Sequence, residues 1–309
     1  MASAFNSTTL YSNMTQMSVT NSNKVIDSIK IFMMFLMLSS FCFFVYFISV
    51  LLRVYFTTSH VQENSRYILF VHMLINDTLN LTIGLFLFLC SYFMLYIPAP
   101  ICIIILTLAA SSFRVTPYSL AAMSLERYVA ICHPLRHVEF CTAQRSHVAI
   151  ATMWVVSLIF PVADVIALIA TVPKSFYSQC VMCQRNRLTI SQLQVSMRSF
   201  SLISSLVLVA LVIIYTYIKI MVVALKIGSG NSSAFKAGKT VMLHGFQLLL
   251  SISSFASSLT ETYFRESTVL LLPNFIVFTY LPRLLSPLIY GIRDEVFNKC
   301  IKKMYYSKP

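Results

Sequence analysis

The sequence has very little charge. Asp, Glu, Lys and Arg make up 11% of its 309 residues, whereas about 25% is usual for a soluble protein. Hydrophobic residues make up 58%, so the chain has too few charged side chains to cover a water-soluble core, and the same composition excludes a disordered chain. Glycine is also scarce, and its six copies exclude a collagen-like repeat and argue against a glycine-rich nucleotide-binding loop. The composition therefore indicates an integral membrane protein.

The chain instead contains long, uninterrupted apolar runs. A membrane-spanning helix needs about 20 mostly apolar residues, and the first run, residues 31–52, contains no charged residue. These runs are too long for the strands of an outer-membrane barrel, which alternate over about ten residues. We predict an all-α integral membrane protein, a seven-transmembrane helix bundle over 31–292 between an extracellular tail, 1–30, and a cytoplasmic tail, 293–309. The predicted spans are approximately 31–52, 67–96, 100–125, 148–172, 200–218, 241–260 and 269–292.

The basic residues are unevenly distributed between the two sets of loops. Of 23 Lys and Arg residues, fourteen fall on the side of the C-terminus and seven on the side of the N-terminus, while Arg114 and Arg283 lie inside spans. Because Lys and Arg favour cytoplasmic loops, we expect the N-terminus outside and the C-terminus inside. Glycosylation sequons at Asn6 and Asn13 agree, since this modification requires exposure outside the cytoplasm. Anionic inner-leaflet lipid then explains the net charge of +13 better than nucleic acid does.

The most specific string lies where the third span meets the cytoplasm. Residues 123–135 read MSLERYVAICHPL, in which Glu126 and Arg127 form an acidic–basic pair. The string closely resembles the signature of odorant receptors in the rhodopsin-like class, MAYDRYVAICxPL, with Glu126 in place of the aspartate. The resemblance extends to Asp77 in the second span and Trp154 in the fourth. The strings LINDT, ICHPLRH and LHGFQLL are similar to those of fish-type odorant receptors.

Three further motifs resemble the same family. Thr216-Tyr217 matches its Ser-Tyr pair at the inner end of the fifth span. Residues 236–244, KAGKTVMLH, match its Lys-Ala-x-x-Thr-Cys-x-x-His at the start of the sixth, and residues 286–290, SPLIY, match its Asn-Pro-x-x-Tyr in the seventh. The chain departs from the family at residues 45–47, VYF, where Gly-Asn is usual, and at Ser286, where Asn is usual.

The resemblance implies a multi-pass plasma-membrane receptor of olfactory sensory neurons that binds a small-molecule odorant. It also implies activation of a heterotrimeric G protein of the olfactory stimulatory type, with no cofactor. A disulfide is implied between Cys102 and the long outer loop, where Cys183 and, as an alternative, Cys180 are available. The residues assigned by resemblance to G-protein coupling and activation are Glu126, Arg127, Tyr128, Tyr217, His244, Pro287 and Tyr290.

Charged residues inside spans are costly and are usually paired or functional. Asp77 lies about 15 Å, and Arg283 about 14 Å, from the inner end of its helix at 1.5 Å per residue, so we predict that they pair. Arg114 lies about 20 Å above Arg127, where it meets either Asp164 or an anionic group of a ligand. Helical spacing and family position together predict a mostly apolar ligand pocket in the outer half of the bundle. Its predicted lining is Ala110, Phe113, Arg114, Asp164, Ser201, Ser205, Phe255, Leu259, Ile276 and Thr279.

The sequence lacks the usual patterns of catalysis. Its six histidines show no metal-ligand spacing, and no nucleophile elbow or phosphate loop appears, so we expect neither a metal site nor an enzyme. Cys300, beside Lys299 and Lys302, fits palmitoylation and an unmodified thiol equally well. Two alternative functions are a rhodopsin-like receptor for an endogenous small molecule outside the nose and, from a different class, a membrane transporter or channel.

Overall fold

The chain is helical through most of the part that the structure, a computed structural model, describes. The described residues are 2–184, 188, 191–226, 246, 249 and 273–285, with side chains for all of these except 2–27, 30, 60, 224–226 and 279. The helices are α1 (Ala2–Thr57), α2 (Ser59–Gln62), α3 (Ser65–Tyr92), α4 (Ala99–Cys132), α5 (Pro134–Phe140), α6 (Ala143–Thr171), α7 (Gln192–Lys226) and α8 (Phe275–Leu285). Within α8, Phe275–Tyr280 is π-helical. Two strands, β1 (Tyr96–Pro98) and β2 (Cys180–Met182), and a 3₁₀ turn at Lys174–Ser178 complete the described elements.

Five of the described helices are long and apolar enough to cross a membrane: the Ile31–Thr57 part of α1, together with α3, α4, α6 and most of α7. They correspond to the first five predicted spans. The predicted sixth span, 241–260, lies outside the described residues apart from 246 and 249. The described part of the seventh is helical.

The helices extend beyond the spans predicted from hydropathy. The third span was expected to end at residue 125, yet α4 continues to Cys132. The fifth was expected over 200–218, yet α7 runs over Gln192–Lys226. Hydropathy identifies only the part of a helix that lies in hydrocarbon, whereas the backbone hydrogen bonding continues into the polar interface. The Glu-Arg-Tyr string is therefore helical.

The predicted N-terminal tail is also helical, since α1 begins at Ala2. No glycine or proline occurs among residues 1–57, so α1 contains neither of the two strongest helix breakers. At 1.5 Å per residue, the 56 residues of α1 span about 84 Å. A hydrocarbon core is about 30 Å thick, so only the apolar part of α1 fits inside it. The sequons at Asn6 and Asn13 lie on the remainder, where side chains are not described.

Helix α4 is the centre of the bundle and packs against α3, α6 and α7. Its buried residues are mostly small or polar, and they include Ser111, Ser112, Thr116, Ser119 and Ser124. Small residues allow helices to approach closely in a membrane, where apolar burial supplies little association energy because lipid is equally apolar. Large apolar side chains of α6 and α7 point outward instead, as expected for surfaces that contact lipid.

Side-chain hydrogen bonds join neighbouring helices at several depths. Ser65 and Ser146 join α3 to α6 with Oγ atoms 2.6 Å apart, and Ser40 and the Tyr280 hydroxyl join α1 to α8 at 3.0 Å. Trp154 Nε1 donates to His72 Nε2 at 2.9 Å, which joins α6 to α3. Such bonds contribute about 0.6–2 kcal/mol each within a bilayer.

A two-stranded antiparallel sheet covers one end of the bundle, a departure from a purely helical chain. Strand β1 follows α3 and pairs with β2 in the long loop after α6, with Ile97 opposite Val181. The disulfide lies beside it and joins Cys102 to Cys183, with Cα atoms 5.5 Å apart. Cys180 pairs in register with Pro98 and is a free, exposed thiol. Sheet and disulfide together fix the long loop against the start of α4.

The second span ends earlier than predicted, at Tyr92 rather than residue 96, because the chain turns at Met94. This residue has φ of 52°, and the amide of the next residue, Leu95, donates to Cys90 O at 2.8 Å. This arrangement is a Schellman motif, in which glycine usually occupies the left-handed position. The turn directs the chain into β1.

We predict that Met94→Gly stabilises the protein. The left-handed backbone costs a residue with a side chain about 1–2 kcal/mol, and Met94 is exposed, so its side chain contributes little packing. Glycine also increases the conformational entropy of the unfolded chain, which offsets part of this stabilisation. We therefore expect the melting temperature to rise by about 1–2 °C. Phe93→Gly, at an ordinary φ of −87°, is the matched control and is expected to give no gain. A lower melting temperature for Met94→Gly than for Phe93→Gly in purified protein would contradict the argument.

Candidate ligand cavity and activation site

A cavity in the described part of the chain lies between α4, α6 and α7. It shares Ile103, Leu168 and Leu188 with a small apolar cluster that also includes Cys102 and Cys183. Most of its walls are apolar, and Arg114, Asp164 and Arg198 bring charge to it. The full lining is Ile103, Leu106, Thr107, Ala110, Arg114, Phe160, Pro161, Asp164, Val165, Leu168, Leu188, Arg198 and Leu202.

Arg114 is held at the side of this cavity by α7. Its Nη2 donates to Ser201 Oγ at 3.0 Å, and its Nη1 donates to Ala110 O, one turn earlier in α4, at 3.3 Å. Ser201 Oγ in turn donates to Arg198 O at 2.9 Å. Arg114 is 5% exposed, so its guanidinium is positioned before any ligand arrives.

Asp164 pairs with Arg198, not with Arg114 as one of the two sequence-based interpretations had it. Arg198 Nε donates to Asp164 Oδ2 at 2.9 Å, and Arg198 Nη2 contacts the same oxygen. Gln194 Nε2 donates to the Asp164 carbonyl at 3.4 Å. Arg198 was not predicted as a site residue, because it lies two residues before the predicted start of the fifth span at 200. Its spacing of three residues before Ser201, on the same face of a helix, was the signal that could have found it.

The other predicted lining residues are dispersed. Phe113 contacts the Arg283 guanidinium, with Cζ 5.2 Å from the ring centroid. Ser205 is buried and donates to Leu202 O at 2.9 Å, while Ile276 packs against the main core. Three predicted positions have no described side chain, namely Phe255, Leu259 and Thr279.

The second charged site is a buried pair about midway along the bundle. Arg283 Nη1 lies 3.6 Å from Asp77 Oδ1, and their side chains are 6% and 1% exposed. Thr116 Oγ1 donates to the same Asp77 oxygen at 2.8 Å, and Asn76 Nδ2 donates to Thr116 Oγ1 at 3.0 Å. The structure thus brings together Asp77 and Arg283, which were predicted to pair because they lie at similar depths in their helices. Thr116 links this pair to α4.

The third charged site is the C-terminal end of α4. Glu126 Oε2 lies 3.6 Å from Arg127 Nε, and Glu126 Oε1 lies 3.1 Å from His137 Nε2 of α5. The Tyr128 hydroxyl lies 3.2 Å from His133 Nε2. His137 was not among the predicted site residues, because nothing in the linear string shows that α5 folds back onto α4.

Helix α7 packs Tyr215 against this end of α4, and the predicted Tyr217 lies on another face of α7. The ring of Tyr215 lies 6.0 Å from that of Tyr128, whereas Tyr217 is 39% exposed. A two-residue step turns a helical side chain by about 200°, so the two cannot share a face. The remaining predicted positions lie outside the described residues, and they are His244, Pro287, Tyr290 and Cys300. No group of three or more potential metal ligands occurs in the described part of the chain.

Comparison with known proteins places this geometry in a family. The model of the 7 transmembrane receptor (rhodopsin family) matches residues 49–290. The chain belongs to the rhodopsin family of seven-transmembrane receptors. This receptor therefore has seven membrane-crossing helices and is a multi-pass protein of the plasma membrane.

Relatives of the receptor include odorant receptors, as the motifs had predicted. Odorant receptor 131-2 of Danio rerio is 31% identical over 258 residues, which are 82% of this chain and 79% of the relative. Olfactory receptor 2AT4 of Homo sapiens is 28% identical over 204 residues, 62% of each chain. Olfactory receptor 6S1 of Homo sapiens is 25% identical over 217 residues, 64% of this chain and 60% of the relative. The fish relative thus matches a larger share of the receptor than these human ones do.

We predict that Asp77 and Arg283 depend on each other. Removal of one partner of a buried ion pair leaves an uncompensated charge and typically costs about 3–5 kcal/mol, so Asp77→Ala and Arg283→Ala should each greatly reduce surface expression. The exchanged pair, Asp77→Arg with Arg283→Asp, should recover part of that loss. The neutral pair, Asp77→Asn with Arg283→Gln, should also be better tolerated than either single alanine variant. Flow cytometry of an epitope-tagged receptor measures this, and double variants no better expressed than the single ones would contradict the pairing.

Proposed function

We propose that this receptor binds a small-molecule odorant in the cavity between α4, α6 and α7. The observation that carries the proposal is the cavity itself, because apolar walls with a few positioned polar groups are typical of small-molecule sites. The odorant and olfactory receptors among the relatives support an odorant as the ligand. Expression in olfactory sensory neurons follows from the same analogy.

The bound odorant acts by changing the relative populations of the receptor's conformations. A ligand favours the conformation to which it binds more tightly, and the cavity is lined by three helices that also reach the inner end of the bundle. Opening at that end exposes the surface around Arg127 to a heterotrimeric G protein, of the olfactory stimulatory type by family analogy. The Glu126–Arg127 contact, at 3.6 Å, supports this surface as the one that changes.

The charges around the cavity favour an anionic odorant over a cationic one. Among the described lining residues two are arginines, Arg114 and Arg198, and one is an aspartate, Asp164. Arginine binds carboxylates through charge-assisted hydrogen bonds, which are about twice as strong as neutral ones. Arg114 is the arginine assigned to the ligand, because its buried guanidinium is held at the cavity wall by Ser201 Oγ and Ala110 O.

We predict that Arg114→Ala raises the half-maximal concentration of carboxylate odorants about tenfold, the loss expected for a hydrogen bond to a charged group. Neutral analogues with the same carbon skeleton should change little. The measurement is odorant-stimulated nucleotide exchange on an added G protein, normalised to surface expression. Arg53→Ala, which removes an exposed arginine of α1, is the matched control and should leave both ligand classes unaffected.

Two outcomes count against the proposal. If anionic odorants have no advantage over neutral and cationic ones, the assignment of Arg114 is wrong. If no odorant promotes nucleotide exchange while some odorant drives solute flux in liposomes, the receptor function itself is wrong.

The proposed orientation places the N-terminus and the β1–β2 sheet outside the cell. The excess of Lys and Arg in the opposite loops supports it, as do the sequons at Asn6 and Asn13. Two free thiols lie at opposite ends of the bundle and make it testable. Cys180 is exposed in β2, and Cys141 is half-buried just after α5.

We predict that a membrane-impermeant maleimide labels Cys180 on intact cells and labels Cys141 only after permeabilisation. Burial first, and the nearby Glu126 carboxylate second, raise the pKa of the Cys141 thiol, so its labelling should also accelerate as the pH rises above neutrality. Mass spectrometry of the two peptides distinguishes the sites. Labelling of Cys141 before permeabilisation, with Cys180 protected, would reverse the orientation.

A further inference from the structure

The carboxylate of Glu126 has two basic neighbours, not one. Its Oε2 lies 3.6 Å from Arg127 Nε, and its Oε1 lies 3.1 Å from His137 Nε2. The histidine contact is the shorter of the two and the only one within hydrogen-bonding distance. Glu126 is 7% exposed and His137 is 28% exposed, so the pair is partly shielded from solvent.

His137 reaches Glu126 because the chain folds back after α4. Helix α4 ends at Cys132, and Pro134 occupies the first turn of α5, where its missing amide and fixed φ favour a new helix. The amide of Cys141 donates to His137 O at 2.8 Å, which closes the last turn of α5. The contact therefore joins two helices rather than neighbours on one helix.

Charged and titratable groups approach this pair from three elements. Helix α4 contributes Glu126 and Arg127, His133 lies between α4 and α5, and α5 contributes Arg136 and Glu139 next to His137 itself. Beyond α5 lie Cys141, whose thiol interacts with Glu126, and Arg145 at the start of α6, whose guanidinium lies over the Phe140 ring at 5.2 Å. Of these side chains, histidine is the type that changes charge between pH 5 and 8.

We propose that His137 is a positioning residue for signalling, and that its protonated form holds Glu126 in place and lowers activation of the G protein in the absence of ligand. The inference rests on the proposed coupling to a G protein and deepens it. In the described conformation Glu126 contacts Arg127, which belongs to the surface assigned to the G protein. A protonated His137 turns a hydrogen bond into a charge-assisted one and favours that conformation.

The direction of the pH effect on basal signalling depends on which arrangement of α4 and α5 contains the Glu126–His137 contact. The docked arrangement of α4 and α5 gains an ion pair when His137 is charged and loses it when His137 is neutral. Acidification therefore stabilises the docked, inactive arrangement and lowers basal signalling, and a rise in pH releases it. Arg127 and Arg145 remain charged throughout this range, so they cannot produce the same response.

The test is basal nucleotide exchange by purified receptor in lipid nanodiscs with purified G protein, between pH 6.0 and 8.0 and without any odorant. Receptor-free G protein at each pH corrects for the pH dependence of the G protein itself. Receptor-dependent exchange should fall about two- to fivefold on acidification, the range that a partly exposed ion pair supports. His137→Gln, which keeps a neutral hydrogen-bond donor, should remove this fall. His147→Gln, at an exposed histidine of α6, should retain it.

A flat wild-type profile would overturn the proposal, as would a rise on acidification or a His137→Gln profile parallel to the wild type. A second measurement does not depend on the G protein. The difference in melting temperature between wild type and His137→Gln should grow on acidification and vanish in a Glu126→Gln background. If that coupling is present and no exchange occurs at any pH, the proposed G-protein coupling has failed while the Glu126–His137 contact has not. If the coupling is absent, the proposal fails whatever the exchange assay gives.

Discussion

Polar groups inside a bilayer have no water to bind, so each must find a partner within the protein. This constraint explains why α4 lies at the centre of the bundle. Its buried face carries Arg114, Thr116 and Glu126 among a series of serines, and the neighbouring helices supply partners for them. The apolar side chains that would form the core of a soluble protein turn outward to the lipid on α6 and α7.

The same constraint produces three polar clusters on α4. One has Arg114 at the cavity with Ser201, the second has Thr116 beside the Asp77–Arg283 pair, and the third has Glu126 with Arg127 and His137. Arg114 and Thr116 are only about 3 Å apart along the helix axis but point to different faces of α4, whereas Glu126 lies about 15 Å further along the helix than Thr116. Because one helix contributes to all three, any rotation or translation of α4 changes their contacts together.

The sequence predicted those features that depend on composition and depth. Long apolar runs locate the spans, and equal depth from the inner surface matched Asp77 with Arg283. The features that were missed depend on the direction in which a side chain points around its helix and on where the chain reverses direction. Asp164 pairs with Arg198 because α7 begins at Gln192, eight residues before its apolar run. His137 meets Glu126 because α5 folds back, and the three-residue strands β1 and β2 are too short for a periodic pattern. The resemblance to a receptor family supplied Cys102–Cys183, since spacing alone leaves Cys180 equally available.

Three carboxylates are buried or half-buried, those of Asp77, Asp164 and Glu126, and their basic partners are of different types. Asp77 and Asp164 are each paired with an arginine, Arg283 and Arg198 respectively, whose charge is permanent at any physiological pH. Glu126 has an arginine and a histidine. The cavity and the Asp77–Arg283 pair therefore have fixed charges, as suits a cavity that must select a ligand and a pair that must hold the helices together. Among these three carboxylates Glu126 is the one with a histidine partner, and it lies next to the surface proposed for the G protein, where a change in one contact has the shortest path to signalling.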